Sequence, residues 1–221
     1  MACPAGALAP RAARPGRRRV PTHAVAEPLE EEDMKRSGMF AGVIGVALVA
    51  TLAMAFEITP TVQSQIDKSM EQVKAWAANP VVVKAVVEQN GKGPVPGMDN
   101  AKWKTVRRSD ELTKSFQNNP AGQFLKQKLA ESNDLFSEAF LSAAQGEKVA
   151  FVEKTTSYIH KGAPKFDVPF GGKPWQGTPE FDESSQMHQV QASVPVVADG
   201  KPVGVLVVGI NLTKLEGAGK K

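Results

Sequence analysis

Bond-making chemistry needs a nucleophile beside a base, a metal cluster or a phosphate cradle, and each has its own spacing. This chain of 221 residues carries one cysteine, Cys3, which has no internal disulfide partner and supplies no metal cluster. Its three histidines, His23, His160 and His188, are not spaced as a metal pair, and C-x-x-C-H is absent, so no haem attachment is implied. Asp182 and Glu183 are adjacent, but strand neighbours point to opposite faces, which makes a poor acid/base pair. Gly171-Gly172-Lys173 looks like a phosphate-loop fragment without the first glycine or the following Ser/Thr, and reads as a plain turn. G-x-S-x-G and H-E-x-x-H do not occur. No catalytic residues and no cofactor are implied by these residue types and spacings.

Recognition needs a scaffold, and the composition allows one. At 42% hydrophobic and 23% charged residues, the chain can bury a core and is not a wholly disordered polymer. It is short for a barrel enzyme. The net charge of +4 is scattered rather than gathered into a basic stripe with aromatics, so a nucleic-acid partner is not expected.

The N-terminal quarter reads as targeting rather than fold. Gly38 to Phe56 carries no charge, Lys35 and Arg36 stand before it, and Ala53-Met54-Ala55 supplies a small-x-small cleavage signature. That is the layout of a secretory signal at 34–55, with cleavage after Ala55. The alternative is an uncleaved inner-membrane anchor over 38–56, which is just long enough to span. The positive residues hold its start inside, so residues 56–221 are exported, to the periplasm if the source is a Gram-negative bacterium. Residues 1–33, rich in Ala, Pro and Arg, read as a disordered extension or as lying before a true start at Met34.

In the exported part, Thr59-Pro60 is an N-cap followed by proline at the first helical position. Val62, Ile66, Met70, Val73 and Ala77 follow at helical spacing, with Trp76 beside them. Asn79-Pro80 restarts a second helix from Val81 to Gln89, whose valines 82, 83, 86 and 87 form its apolar face and which ends at Asn90-Gly91. Trp103 and Val106 begin a further helix that Leu112 and Phe116 continue. Asn118-Asn119-Pro120 restarts another through Phe124, Leu125 and Leu129. After Leu135 the period changes. Leu135–Ala143 and Val149–Val152 read as a hairpin about Gln145-Gly146. Thr155 to Pro174 is loop-rich. Trp175–Phe181, the alternating run through Gln189 to Val194, and the nearly continuous apolar run Val203–Ile210 are three more strands, the last central in the sheet. Helices first and a mainly antiparallel five-stranded sheet afterwards predict an α+β fold with a long N-terminal helix.

Three stretches carry a resemblance: QVKAWAANPVVVKAVVEQN (72–90), SEAFLSAAQGEKVAFVEKTTSY (137–158) and PEFDESSQMHQVQASVPVVADGKPVGVLVVGIN (179–211). Together they resemble the extracytoplasmic PAS-like sensor domains called Cache or PDC domains, closest to small exported single-domain members, over roughly residues 60–216. The family often carries a Y-W-Q-G-D-E stretch after its first hairpin. Here Tyr158-Ile159-His160-Lys161-Gly162-Ala163-Pro164 keeps the tyrosine and a glycine and lacks the tryptophan and the acids. An ammonium site built on those acids is therefore not carried over.

The resemblance implies a PAS-like sheet that binds a small molecule, an organic acid, amino acid or related metabolite, between the sheet and the irregular stretch before the third strand. It implies no turnover. The residues placed there are Tyr158, Lys165, Phe166, Trp175, Asp182 and Ser184, with His160 expected at the surface and His188 pointing to solvent. A phenol and an ammonium suit a ligand carboxylate, and aromatic rings suit stacking. Each also has a plain use: core packing for Tyr158, Phe166 and Trp175, solvation for Lys165, and turn capping for Asp182 and Ser184. The expected function is an exported sensor module that signals through a membrane-bound partner. The competing expectation is a structural protein that forms a homodimer through its first helix, with Met70, Val73 and Trp76 as interface.

Overall fold

The computed structural model describes residues 56–182 and 187–218. The expectations for residues 1–33 and 34–55, including the cleavage pair Ala53 and Ala55, lie outside these residues, as does Ser184. Among the described residues no helix is long and apolar enough to cross a membrane.

Helix α1 runs Pro60–Ala77, started as expected by Thr59, whose hydroxyl accepts the Val62 N–H at 3.3 Å. Helix α2, Pro80–Lys92, begins at Asn79, whose side chain accepts the Val81 N–H at 2.9 Å. It ends later than the Asn90-Gly91 signal predicts. Gly93 is the residue that enters the left-handed region (φ 72°), and Asn90 serves tertiary structure instead. Its amide donates to the Val203 carbonyl and accepts the Ala144 N–H, both at 2.8 Å. Only Val82 and Val86 of the expected face are fully buried, while Val87 is exposed.

The predicted single helix through Trp103 and Phe116 is two: α3, Asn100–Thr105, and α4, Glu111–Asn118. Asp110 separates them by accepting the Arg107 N–H at 2.9 Å, which closes a turn. Helix α5, Pro120–Glu131, is capped by Asn119 and started by proline as expected.

The five strands are β1 (Phe136–Ala143), β2 (Lys148–Phe151), β3 (Trp175–Asp182), β4 (Met187–Ala198) and β5 (Lys201–Asn211). All pairs are antiparallel, in the order β2-β1-β5-β4-β3. The apolar run in β5 is central, as its two-sided hydrophobicity requires. Two further helices were not foreseen. Helix α6, Pro164–Phe170, forms inside the loop-rich stretch because Pro164 sits at its first position and Phe166 and Pro169 are buried. Helix α7, Leu212–Ala218, follows β5 directly and buries Leu212 and Leu215.

Side-chain alternation splits the sheet into two unlike faces. Leu141, Leu206, Val208, Ile210, Val190, Ala192 and Val194 meet the apolar side of α1, α2 and α5 in one core. Met70 and Val73 belong to this core, and Trp76 packs on Phe136 with ring centroids 4.6 Å apart. These three therefore serve the chain's own interior, contrary to the role in a dimer interface that the competing expectation gives them. Phe140, Phe151, Val205 and Val207 face the other way, with Trp103, Phe116, Tyr158 and Phe166 over them.

Candidate functional site

The second face is only partly roofed. The aromatic group covers its β2 end. Toward β3 and β4 the roof stops, and a hollow of about 380 Å³ opens there. Its floor comes from alternate positions of three strands: Glu138 and Phe140 on β1, Gln189 and Gln191 on β4, and Glu180 and Asp182 on β3. Its rim is Lys154, Thr155 and Thr156 after β2, His160, and Lys165 of α6. The polar members of the β4 alternation thus face the hollow while Val190, Ala192 and Val194 face the helices.

A hydrogen-bonded chain crosses the floor. The Lys165 ammonium donates to Gln191 Oε1 at 3.0 Å, and the Gln191 amide donates to Glu138 Oε1 at 2.6 Å. Ser137 Oγ and Gln189 Oε1 lie 2.6 Å apart at the next position along the strands. The Lys154 ammonium donates to the Trp103 carbonyl at 3.2 Å and sits 4.4 Å from the Trp103 ring centroid. Burial, and then the charge of Arg108, lower its pKa. Ammonium and carboxylate groups therefore line one open space, and among the described residues no group of three or more metal-binding side chains is present.

The rim segment 158–162 is held by backbone. His160 N–H donates to the Gly146 carbonyl at 2.8 Å, and Glu147 bridges Ile159. Gly146 stands at φ 85°, and a Cβ there would collide with the Lys161 backbone, so the hairpin turn and the rim approach closely only because this residue is glycine. The Asn100 side chain adds two acceptor contacts, from the N–H groups of Tyr158 and Ile159, each at 2.8 Å.

Of the residues singled out from the sequence, Lys165 and Asp182 line the hollow. Tyr158 and Phe166 are fully covered in the aromatic cluster and do not line it. The Tyr158 hydroxyl accepts the Val95 N–H at 2.9 Å, tying down the loop after α2, and burial raises its pKa. Trp175 borders a separate hollow beside α1, with Asp67, Met70 and Lys74. His160 is not a surface residue. It is 6% exposed and stacks on Phe140 at 4.7 Å, because the backbone tie to Gly146 turns it inward. Burial first, then the charges of Lys148 and Lys165, lower its pKa to about 3. His188 is half-buried between the rings of Phe56 and Phe181, at 5.1 and 5.0 Å, rather than pointing to solvent. Glu138, Gln189, Gln191 and Lys154 were missed. The signal for Glu138 was available, as the lone charged residue of its strand.

No protein-family model and no curated protein matches the sequence. Among solved structures the chain is similar to several sensor and ligand-binding domains. One is the ligand-binding domain of the Pseudomonas aeruginosa amino acid chemoreceptor PctC in complex with GABA, with 15% identity, 72% of this chain and 60% of that one covered, and a TM-score of 0.43. Another is the sensor domain of the V. cholerae histidine kinase DctB, with 17% identity, 70% and 59% covered, and a TM-score of 0.35. A third is the sensory domain of the Campylobacter jejuni chemoreceptor Tlp3 with isoleucine bound, with 16% identity, 73% and 67% covered, and a TM-score of 0.37. The chain spans about three fifths of the length of the first two. At these TM-scores the likeness bears on neither ligand nor partner.

Proposed function

We propose that this chain is a ligand-binding sensor module that holds a small polar molecule in the hollow over β1, β4 and β3 and leaves it chemically unchanged. The observation that carries the reading is the open space of about 380 Å³ on the sheet face, with Lys165, Gln191, Glu138 and Asp182 converging on it. A concave site with a few placed polar groups is what small-molecule recognition requires. The ligand is an organic acid, an amino acid or a related metabolite. The module works outside the cytoplasm, a placement supported by the Lys35-Arg36 flank, the uncharged run and the small residues Ala53 and Ala55. It passes its state to a membrane-bound partner through its differential affinity for two conformations.

Thermal unfolding across a panel of organic acids, amino acids and amines tests this. A true ligand at one hundred times its Kd stabilises by about 2.7 kcal/mol. Lys165→Ala and Gln191→Ala reduce that shift. A panel that moves nothing, or a hit that both variants bind as well as the wild type, removes the hollow as the site.

A further inference from the structure

Phe140 lies in the floor of the hollow, and two polar side chains packed on its ring each carry a buried nitrogen with no hydrogen-bond partner among the described residues. Lys148 Nζ lies 3.3 Å from the ring centroid, fully buried and with no hydrogen-bond acceptor among the described residues. His160 stacks on the same ring, lines the hollow, and leaves its Nε2 without a partner. Ser142 Oγ and Ser193 Oγ are buried and unpartnered on the same sheet face. Buried polar atoms without protein partners are rare in folded interiors, and a cluster of them is the kind of place where a water, an ion or a ligand group binds.

We propose that Lys148 and His160, both packed on the Phe140 ring, form an anion seat at the ring edge in the hollow, which takes the carboxylate of a small ligand together with a proton. This deepens the reading of the hollow as a ligand site and rests on it. The charged groups round the seat are Lys165 from α6, Lys154 from the rim, Glu138 from β1, and Glu147 in the hairpin turn. One Glu147 oxygen accepts the Gln145 N–H at 3.1 Å while the other is unpartnered. Burial, and then Lys165, push Lys148 toward the neutral amine, with Glu138 acting the other way. His160 is held neutral by the same kind of surroundings. A carboxylate at the ring edge, within reach of both, reverses the balance, because an opposite charge in a dry site favours the protonated forms. Anion binding and proton uptake are then linked. The lysine stem is long and flexible enough to swing its ammonium past the ring edge toward an anion in the hollow.

The test uses the full chain, labelled with nitrogen-15, titrated with sodium acetate against a sodium chloride control. Acetate moves the Lys148 Nζ signal from the amine to the ammonium range and shifts the His160 ring nitrogens, and calorimetry in two buffers finds about one proton taken up per acetate. Lys148→Met melts no lower than the wild type and binds acetate roughly thirtyfold more weakly or worse. Unmoved Lys148 and His160 signals, or undiminished acetate binding by K148M, overturn the seat. An equal response to inorganic phosphate overturns its assignment to carboxylates. A metabolite that stabilises the chain while Lys148 stays silent leaves the hollow standing and removes the seat. A responsive Lys148 with no stabilising metabolite does the reverse.

Discussion

The two faces of the sheet are built from the same strands and are used differently. Under α1, α2 and α5 the buried positions are apolar apart from Ser69, whose hydroxyl donates to the Gln65 carbonyl of its own helix. Under α3, α4 and α6 the inward positions include Phe140, Lys148, Ser142, Ser193, Glu138 and Gln191, and part of the face is open. The first face can be accounted for by burial of apolar area alone. The second keeps polar atoms that a stability-driven interior would have lost, which is the pattern expected where function competes with packing. Truncating an apolar side chain on the first face and removing an orphaned polar group from the second should therefore have opposite signs.

The largest effect is expected on the closed face. Leu206 is fully buried among the helix-facing residues, so Leu206→Ala leaves a cavity in a core that cannot collapse around it. It should cost about 2–5 kcal/mol in urea unfolding. A cost under 1 kcal/mol would mean that this face is not the stabilising one, and the contrast between the faces would break.

The second effect is a pH slope confined to the open face. His160 has its pKa lowered from 6.5 to about 3, so between those values the unfolded chain binds a proton that the folded chain does not. Stability then rises with pH through this window, is complete above about 6.5, and is lost as the solution is acidified, by up to about 1.4 kcal/mol per pH unit. Carboxylates titrate in the same range, so the measurement is the difference in slope between the wild type and His160→Gln from pH 4 to 7. Equal slopes would return His160 to the surface, where the sequence had placed it.

The third is a gain. Lys148→Met keeps the volume and removes an orphaned buried amino group, so at neutral pH it should stabilise by about 1–2 kcal/mol. The folded pKa of Lys148 is lowered, so the wild type is penalised wherever the unfolded lysine is charged. Its stability recovers as pH rises toward the ordinary lysine value, and the advantage of the variant shrinks there. A destabilised K148M would show that Lys148 has an acceptor and belongs to the structure.

The closed face was legible in the sequence because its information is periodic. Val62, Ile66, Met70 and Val73 repeat at helical spacing, Val190, Ala192 and Val194 at strand spacing, and prolines 60, 80 and 120 mark where helices begin. The five strands and the central place of β5 followed from the same signal. The open face was not legible to that degree. Its site gathers residues 138, 154, 160, 165, 182 and 191, which share no period and meet only through the order β2-β1-β5-β4-β3. Tyr158 and Phe166 were read as ligand contacts beside their plain use as core, and the structure places both under cover. An aromatic residue in a loop has no sequence mark that separates a roof from a wall. His160 was read as exposed because its burial comes from a backbone bond to Gly146, fourteen residues away, and no side-chain pattern records it.

The smallest effect sits where the two uses of the open face meet. Tyr158 is fully covered, and its hydroxyl accepts the Val95 N–H from the loop that joins α2 to α3. Tyr158→Phe removes one hydrogen bond and keeps the ring in its cluster with Trp103 and Phe116, at centroid distances of 5.5 and 6.2 Å. The expected cost is about 0.5–1.5 kcal/mol. The distinguishing readout is local, since amide exchange at Val95 should speed up while exchange in β5 tracks only the small global change. If Tyr158 instead holds a ligand directly, the same variant leaves Val95 protected and weakens binding in the thermal panel. One substitution with two readouts therefore decides whether the only tyrosine of the chain is part of the roof or part of the site.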